Sequence, residues 1–168
     1  MGSGKSTIGR SLAQRLDWRF VDLDTLIEQH HGRAVSRIFA ESGESAFRAM
    51  EAEALALSLI ESRLVLALGG GALETPANRR ALRTSSQTCT VLLTASFEIL
   101  YARCQQQIVT AGSPRPVRPL LGDREAAAAR LASRDVNYRQ TAHLVLDTTS
   151  QQPEESVDAL LTLLRGIF

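Results

Sequence analysis

Lysine is nearly absent from this chain. Of its 19 basic residues only Lys5 is a lysine, and all the others are arginines. Arginine presents a planar fork of donors and lysine a compact ammonium, so the two are not interchangeable where contact geometry matters. A sequence that uses arginine almost everywhere and keeps one lysine indicates a site that requires a point charge at Lys5.

The sequence also lacks an excess of charge, paired cysteines and long apolar runs. A net charge of +1 provides no field that would attract nucleic acid or an anionic membrane. Cys89 and Cys104 do not have the spacing of a zinc site and are interpreted as reduced thiols. The apolar run 64–68 is far too short to span a bilayer, and the first residues do not form a signal peptide. We therefore expect a cytoplasmic protein with no nucleic-acid or membrane partner.

The length and composition are those of one soluble domain. The chain has 168 residues, of which 44% are hydrophobic and 22% charged, and it contains no internal repeat. This is enough chain for a single substantial core and too apolar for a disordered segment. We expect a single domain spanning residues 1–168.

Hydrophobic periodicity predicts alternating helices and strands. Helices are expected at 5–16, 24–31, 34–41, 44–60, 75–83, 97–106, 125–142 and 153–165, and strands at 19–24, 64–68, 89–93 and 144–147. The run 64–68 is apolar on both faces, as a strand buried in a parallel sheet requires. The alternation predicts an α/β fold with three layers, α/β/α, around a parallel sheet. A stretch rich in proline and glycine, about 107–124, interrupts the pattern.

The segment Gly2-Ser3-Gly4-Lys5-Ser6-Thr7 is the second half of a phosphate-binding loop. In such a loop backbone N–H groups and a helix N-terminus cradle a polyphosphate, the lysine contacts the outer phosphates, and the hydroxyl of Ser6 holds Mg²⁺. The alternative is a glycine-rich segment with a helix cap and no ligand.

An apolar strand normally precedes such a loop and lies at the centre of the sheet. The signature's first glycine and this strand would both fall before Met1. Burying four or five apolar side chains contributes roughly 6–15 kcal/mol, comparable to the whole stability of a domain. We therefore expect the natural protein to begin about ten or more residues earlier, with Met1 as an internal methionine.

Two carboxylates follow the first predicted strand. Asp22 and Asp24 would lie at its carboxyl end, where open α/β sheets bind ligands. One carboxylate there would organise Mg²⁺ through water, and the other would orient or deprotonate a hydroxyl. The alternative is that Asp24 caps the next helix and Asp22 is solvated.

Three consecutive glycines, Gly69, Gly70 and Gly71, follow the strand 64–68. They permit close approach of a ligand, or else they form a plain turn. Arginines bind carboxylates bidentately, but periodicity alone does not separate Arg48, Arg118 and Arg134 from the other arginines.

Taken together, these motifs resemble the shikimate kinases, a family of small-molecule kinases with a phosphate-binding loop and a nucleoside monophosphate kinase-like fold. The resemblance covers nearly the whole chain. Its elements are Gly2 to Arg10, Asp22-Leu23-Asp24, Gly43 to Arg48 with Glu51, Gly69 to Ala72, Arg118 to Leu121, and Arg134 with Tyr138. Six motifs in family order at near-family spacing are specific, although each alone is weak.

The resemblance implies transfer of the γ-phosphate of ATP, with Mg²⁺, to the 3-hydroxyl of shikimate, a step towards chorismate and the aromatic amino acids. It implies a monomeric enzyme whose only partners are shikimate and ATP. Shikimate would be bound by Asp24, Arg48, Gly69, Gly70, Gly71 and Arg134, and ATP by Gly2, Ser3, Gly4, Lys5, Ser6, Thr7, Arg103, Arg118 and Gln151. Ser6 and Asp22 would serve the metal, and Lys5, Asp24 and Arg118 would be catalytic.

The lid differs from the family pattern. The segment between Arg103 and Arg118 is several residues longer than usual and carries Arg115 as its one charge. Arg115 is therefore an alternative lid arginine.

Two other functions remain open at this point. One is another small-molecule kinase of the same fold, although Arg48 and Arg134 disfavour a neutral sugar, because two guanidinium groups would then face no anion. The other is a kinase-like ligand sensor fused to a DNA-binding segment. The presence of Lys5, Ser6, Asp24 and Arg118 argues against the sensor.

Overall fold

The computed structural model describes residues 2–110 and 123–167, with the backbone alone at 107–110. The helices in these ranges are α1 (Lys5–Leu16), α2 (Leu23–His31), α3 (Val35–Ser58), α4 (Pro76–Thr84), α5 (Phe97–Thr110), α6 (Arg124–Thr141) and α7 (Pro153–Leu164). The strands are β1 (Arg19–Asp22), β2 (Leu64–Ala67), β3 (Val91–Thr94) and β4 (Leu144–Asp147), and a short 3₁₀ turn covers Ala72–Glu74. Across these two ranges, none of the helices combines the length and apolar character needed to cross a membrane.

Most predicted elements are confirmed, and three boundaries need correction. Asp24 does not lie at the end of β1 but in the first turn of α2, because the Asp22 carboxylate accepts a hydrogen bond from its N–H and caps the helix. The two helices predicted at 34–41 and 44–60 form one element, α3, which is broken at Gly43 (φ 80°). Helix α5 continues to Thr110 rather than ending at 106, because residues 107–110 contain neither glycine nor proline.

The strands are parallel, as predicted, but the described strands do not form one sheet. Strand β1 pairs with β2, from Arg19 opposite Leu64 to Asp22 opposite Ala67. Strand β3 pairs with β4, from Val91 opposite Leu144 to Thr94 opposite Asp147. No described strand lies between these two pairs.

Helices cover both faces of the strands, which confirms the three layers. One cluster contains Ile8 and Leu12 of α1 with Leu146 of β4 and Val157 of α7, and Val65 of β2 packs against it. A second cluster lies on the other side of β2, where Leu66 and Leu68 pack. Its buried members are Leu23, Ile27, Ile38, Phe47, Ala54, Leu55, Leu73 and Leu82. Successive residues of a strand point to opposite faces, so β2 supports both clusters.

A cavity of about 1140 Å³ lies between the two strand pairs. Residues 64–68 line one side of it and residues 91–94 the other, and apolar side chains of α1, α6 and α7 cover it. Among the described strands β2 pairs with β1 alone and β3 with β4 alone, so each presents an unpaired edge towards this space. One further strand, about 4.8 Å from each neighbour, could pair with both of these edges.

Candidate active site

The phosphate-loop residues lead directly into α1. Gly2 and Gly4 have positive φ angles of 67° and 81°, and Gly4 is the N-cap of α1. Its carbonyl accepts the N–H of Ile8 at 2.8 Å, so the helix is closed from its first turn. The first N–H groups of a helix have no intrahelical partner and bind anions. Because Gly4 has no side chain to cap them, this end of α1 suits a phosphate.

Gly2 must be glycine for two reasons. Its φ is unfavourable for other residues, and a Cβ there would collide with the carbonyl oxygen of Leu100 in α5. Helix α5 therefore packs directly against the loop, with Cys104 alongside.

Ser6 and Asp22 meet at the end of β1. The Ser6 hydroxyl donates to Oδ2 of Asp22 at 3.0 Å, while Oδ1 of Asp22 caps α2. In the described residues no group of three or more histidine, cysteine or acidic side chains is arranged for a metal. Mg²⁺ commonly uses few protein oxygens together with water and substrate phosphates, so a hydroxyl next to a carboxylate fits it.

Asp24 and Glu51 lie together beside Gly69. A Cβ on Gly69 would lie 2.8 Å from Oδ1 of Asp24 and 3.2 Å from Oε1 of Glu51, so a side chain here would displace both carboxylates. Glu51 is 1% exposed, whereas α2 presents Asp24 from its first turn. The first of the three glycines therefore allows a pair of carboxylates to approach the end of β2.

The next two glycines face arginines. A Cβ on Gly70 would contact Nη1 of Arg134, and one on Gly71 would collide with the guanidinium of Arg48. The Tyr138 hydroxyl donates to the Gly70 carbonyl at 2.5 Å, one helical turn after Arg134 in α6. The structure thus brings together the predicted substrate groups Asp24, Arg48 and Arg134, which belong to three different helices.

The sequence reasoning missed Glu74, which joins the two arginines. Its Oε1 accepts from Nε of Arg134 at 2.8 Å, and its Oε2 accepts from Nη2 of Arg48 at 3.3 Å. Partial burial raises the pKa of Glu74, but the hydrogen bond and charge of Arg134 and the charge of Arg48 outweigh it and hold the pKa below its ordinary range. No motif contains this residue, and the one signal in the sequence that could have indicated it is its position three residues after Gly71.

Glu51 anchors Arg48 from the interior. Nη1 of Arg48 donates to Oε2 of Glu51 at 2.8 Å. Burial raises the pKa of Glu51 above its ordinary value despite this hydrogen bond and the charge of Arg48, and the charges of Asp24 and Glu74 add to the rise.

This pKa shift predicts a pH dependence of stability. A carboxyl whose folded-state pKa is raised stabilises the fold most below its unfolded pKa, and that contribution is lost as pH rises through the folded-state pKa. We expect the free energy of unfolding of the wild type, minus that of Glu51→Gln, to fall as pH is raised from about 4 to 8. Urea titrations across this range measure it, with the exposed Glu53→Gln as control. A difference that grows with pH would mean that the Arg48 contact outweighs burial.

Arg103 and Gln151, predicted near adenine, converge on Thr148. Arg103 of α5 donates to the Thr148 hydroxyl at 3.1 Å and to its carbonyl at 2.7 Å. Gln151 follows in the same loop and accepts from the Ser156 hydroxyl at 3.0 Å. Thr148 is 1% exposed and bonded to the end of β3, so both residues are held at one end of the β3–β4 pair.

The predicted lid arginines Arg115 and Arg118 lie outside the described residues, as does most of the lid at 107–124. Their roles stay predictions.

Comparison with protein families and curated relatives gives one family. The family model described as "Shikimate kinase" matches residues 1–165. A shikimate kinase of Geobacter metallireducens is 40% identical over 169 residues, which cover 99% of this chain and 88% of the relative. One of Lactococcus lactis is 35% identical over 160 residues, covering 95% and 91%.

Solved structures agree with the sequence relatives. A shikimate kinase from Acinetobacter baumannii in complex with shikimate superposes with a TM-score of 0.86 at 31% identity, covering 99% of this chain and 89% of the other. One from Bacteroides thetaiotaomicron gives a TM-score of 0.85 at 29% identity, covering 98% and 94%.

Proposed function

The chain belongs to the shikimate kinase family, and from this premise we propose that it transfers the γ-phosphate of ATP to the 3-hydroxyl of shikimate, a step in aromatic amino acid biosynthesis. We propose that it acts as a monomer in the cytoplasm, with shikimate and ATP as its partners.

One observation carries this proposal. Arg48 and Arg134 approach Gly71 and Gly70 at the end of β2, while Asp24 and the buried Glu51 lie at Gly69, so two cations and two carboxylates face adjacent residues. Shikimate has a carboxylate and three hydroxyls. Guanidinium groups bind a carboxylate in bidentate fashion, and a carboxylate accepts hydrogen bonds from hydroxyls. This arrangement therefore suits shikimate better than a neutral sugar.

The reaction joins this substrate site to the phosphate loop. Asp24 accepts the proton of the 3-hydroxyl as that oxygen bonds to the γ-phosphorus, and the bond to the β-phosphate oxygen breaks to release ADP. Lys5 and the N–H groups of α1 stabilise the charge on the transferring group, and we propose that Arg118 joins them from the lid. Phosphoryl transfer depends mainly on positioning and charge stabilisation, so these residue types suffice.

Ser6 and Asp22 would hold Mg²⁺ with the phosphates. Ser6 would supply a direct ligand and Asp22 an outer contact, in line with the 3.0 Å hydrogen bond between them. When bound, Mg²⁺ neutralises charge on the β- and γ-phosphates. Arg103 and Gln151, both beside Thr148, would then lie near the adenine of ATP.

A coupled ADP-release assay tests the proposal. We expect turnover that requires both shikimate and MgATP. ADP release without shikimate, or release that a neutral polyol supports equally well, would argue for a different kinase. Binding of shikimate without turnover would argue for a ligand sensor.

A further inference from the structure

Glu74 is held rigidly by its backbone and more loosely by its side chain. Its N–H donates to the carbonyl of Gly71 at 2.9 Å. Nη1 of Arg79, in α4, donates to the carbonyls of Leu73 at 2.6 Å and Glu74 at 3.0 Å. The Glu74 side chain is 40% exposed. Its carboxylate can therefore move by side-chain rotation while the turn stays fixed.

The Glu74 carboxylate occupies the position that a ligand carboxylate would need. It contacts both Arg48 and Arg134, each about one-fifth exposed. The two hydrogens of Arg48 Nη2 are engaged by Glu74 and Glu44, and Nη1 donates to Glu51. A carboxylate binds a guanidinium in bidentate fashion through either Nη1 and Nη2 or Nε and Nη2, so a ligand that binds Arg48 in this way must displace Glu74 or Glu44 from Nη2.

Of the three carboxylates that contact Arg48, Glu74 is the one whose displacement frees the most donors for a ligand. Glu51 is 1% exposed and, once unpaired, would remain buried. Glu44 is 64% exposed, and of the two arginines it pairs with Arg48 and not with Arg134 in the described residues. Only Glu74 among the described acidic residues bridges both arginines, so its departure frees donors on each of them at once.

We propose that Glu74 is an internal competitor for the substrate carboxylate, and that it thereby determines specificity at this site. The inference rests on the proposed function, since it takes Arg48 and Arg134 as the substrate's carboxylate site. A simple carboxylate competes with an internal one at high effective concentration and gains little by replacing it. A ligand that also places hydroxyls at Asp24 gains additional contacts and displaces Glu74.

Glu74→Gln tests the competition. The amide keeps the size of the side chain and removes its charge, so we expect the KM for shikimate to fall about three- to tenfold, with the effect on KM rather than on kcat. Inhibition by cyclohexanecarboxylate, which lacks the hydroxyls, should strengthen by a similar factor. Glu154→Gln, at the exposed start of α7, makes the same charge change away from the site and should alter neither constant.

Shikimate methyl ester separates displacement from a general charge effect. The ester does not need the carboxylate position, so Glu74→Gln should leave its KM unchanged while lowering that of shikimate. An unchanged or higher KM for shikimate in Glu74→Gln would overturn the proposal. It would mean that Glu74 aligns the two arginines for the substrate and does not compete with it. An equal fall for the ester would overturn it too.

The proposed function and the role of Glu74 can be tested independently of each other. If the wild type did not phosphorylate shikimate, that function would be wrong, yet calorimetric titration with cyclohexanecarboxylate would still decide the role of Glu74. Tighter binding to Glu74→Gln than to the wild type supports competition, and equal or weaker binding refutes it.

Discussion

Lys5→Met is expected to abolish phosphoryl transfer, with kcat falling by at least about 10³-fold. Methionine keeps the unbranched shape of the side chain up to the fourth heavy atom and removes the ammonium. Lys5 is the first residue of α1, directly after a loop in which Gly2 and Gly4 have positive φ angles, and so it lies at the helix end that suits a phosphate. Its charge therefore lies where the outer phosphates of a bound nucleotide are expected. Steady-state ADP release at saturating shikimate and MgATP measures the loss.

Two further variants test whether the loss of activity comes from the loss of the Lys5 ammonium group. Lys5→Arg retains the charge but spreads it over a planar fork, so we expect it to be strongly impaired as well. Arg15→Met removes a cation from the same helix, where Arg15 pairs with Asp158 at 3.1 Å on the surface, and should retain wild-type turnover. Near-normal activity of Lys5→Met would remove Lys5 from the catalytic residues.

Adding an apolar strand ahead of the loop is expected to raise the free energy of unfolding by several kcal/mol. The added segment has five apolar residues, then glycine and one spacer residue before Met1, which completes the phosphate-loop signature. Burial of the five side chains contributes about 7–15 kcal/mol, and ordering the backbone of the seven added residues costs about 7–14 kcal/mol, so these two contributions roughly cancel. The net gain comes from hydrogen bonds to the facing edges of β2 and β3, each worth about 0.5–1.5 kcal/mol, because both edges line the 1140 Å³ cavity.

Urea denaturation compares this variant with a control that carries an extension of equal length made of serine and glycine. The apolar extension should raise both the midpoint and the m-value, since more surface is exposed on unfolding. The polar extension cannot fill an apolar cavity and should leave both near those of the unextended chain. Equal stability of the two variants would show that the cavity does not accept a strand.

The order of elements was predictable from the sequence because it depends on local patterns. The i, i+4 spacing of Ile8, Leu12 and Leu16 predicts α1, and the apolar run 64–68 predicts β2. The phosphate-loop motif is local as well, since backbone conformation and one lysine define it. Family membership, which the motifs predicted, is confirmed.

The site was only partly predictable. Asp24, Arg48 and Arg134 were singled out by their motifs, but nothing in the sequence relates them to Glu74. In the sequence analysis both Asp22 and Asp24 were assigned to the end of a strand. The apolar residues around them do not reveal that the Asp22 carboxylate caps α2, which places Asp24 in a helix. An aspartate side chain can hydrogen-bond to several neighbouring backbone groups, and which of them it caps depends on the conformation that the backbone adopts.

Local sequence patterns thus predict the helices, the strands and the phosphate loop, including the position of its lysine, Lys5. Tertiary structure decides which charges meet. Arg48 and Arg134 are 86 positions apart, and the packing of α3 and α6 around the Ala72–Glu74 turn brings both to one carboxylate. The division of the strands into two pairs, in contrast, agrees with the sequence analysis, which placed the strand expected at the centre of the sheet before Met1. Backbone edges pair only with a neighbouring strand, and between β2 and β3 the described chain provides none.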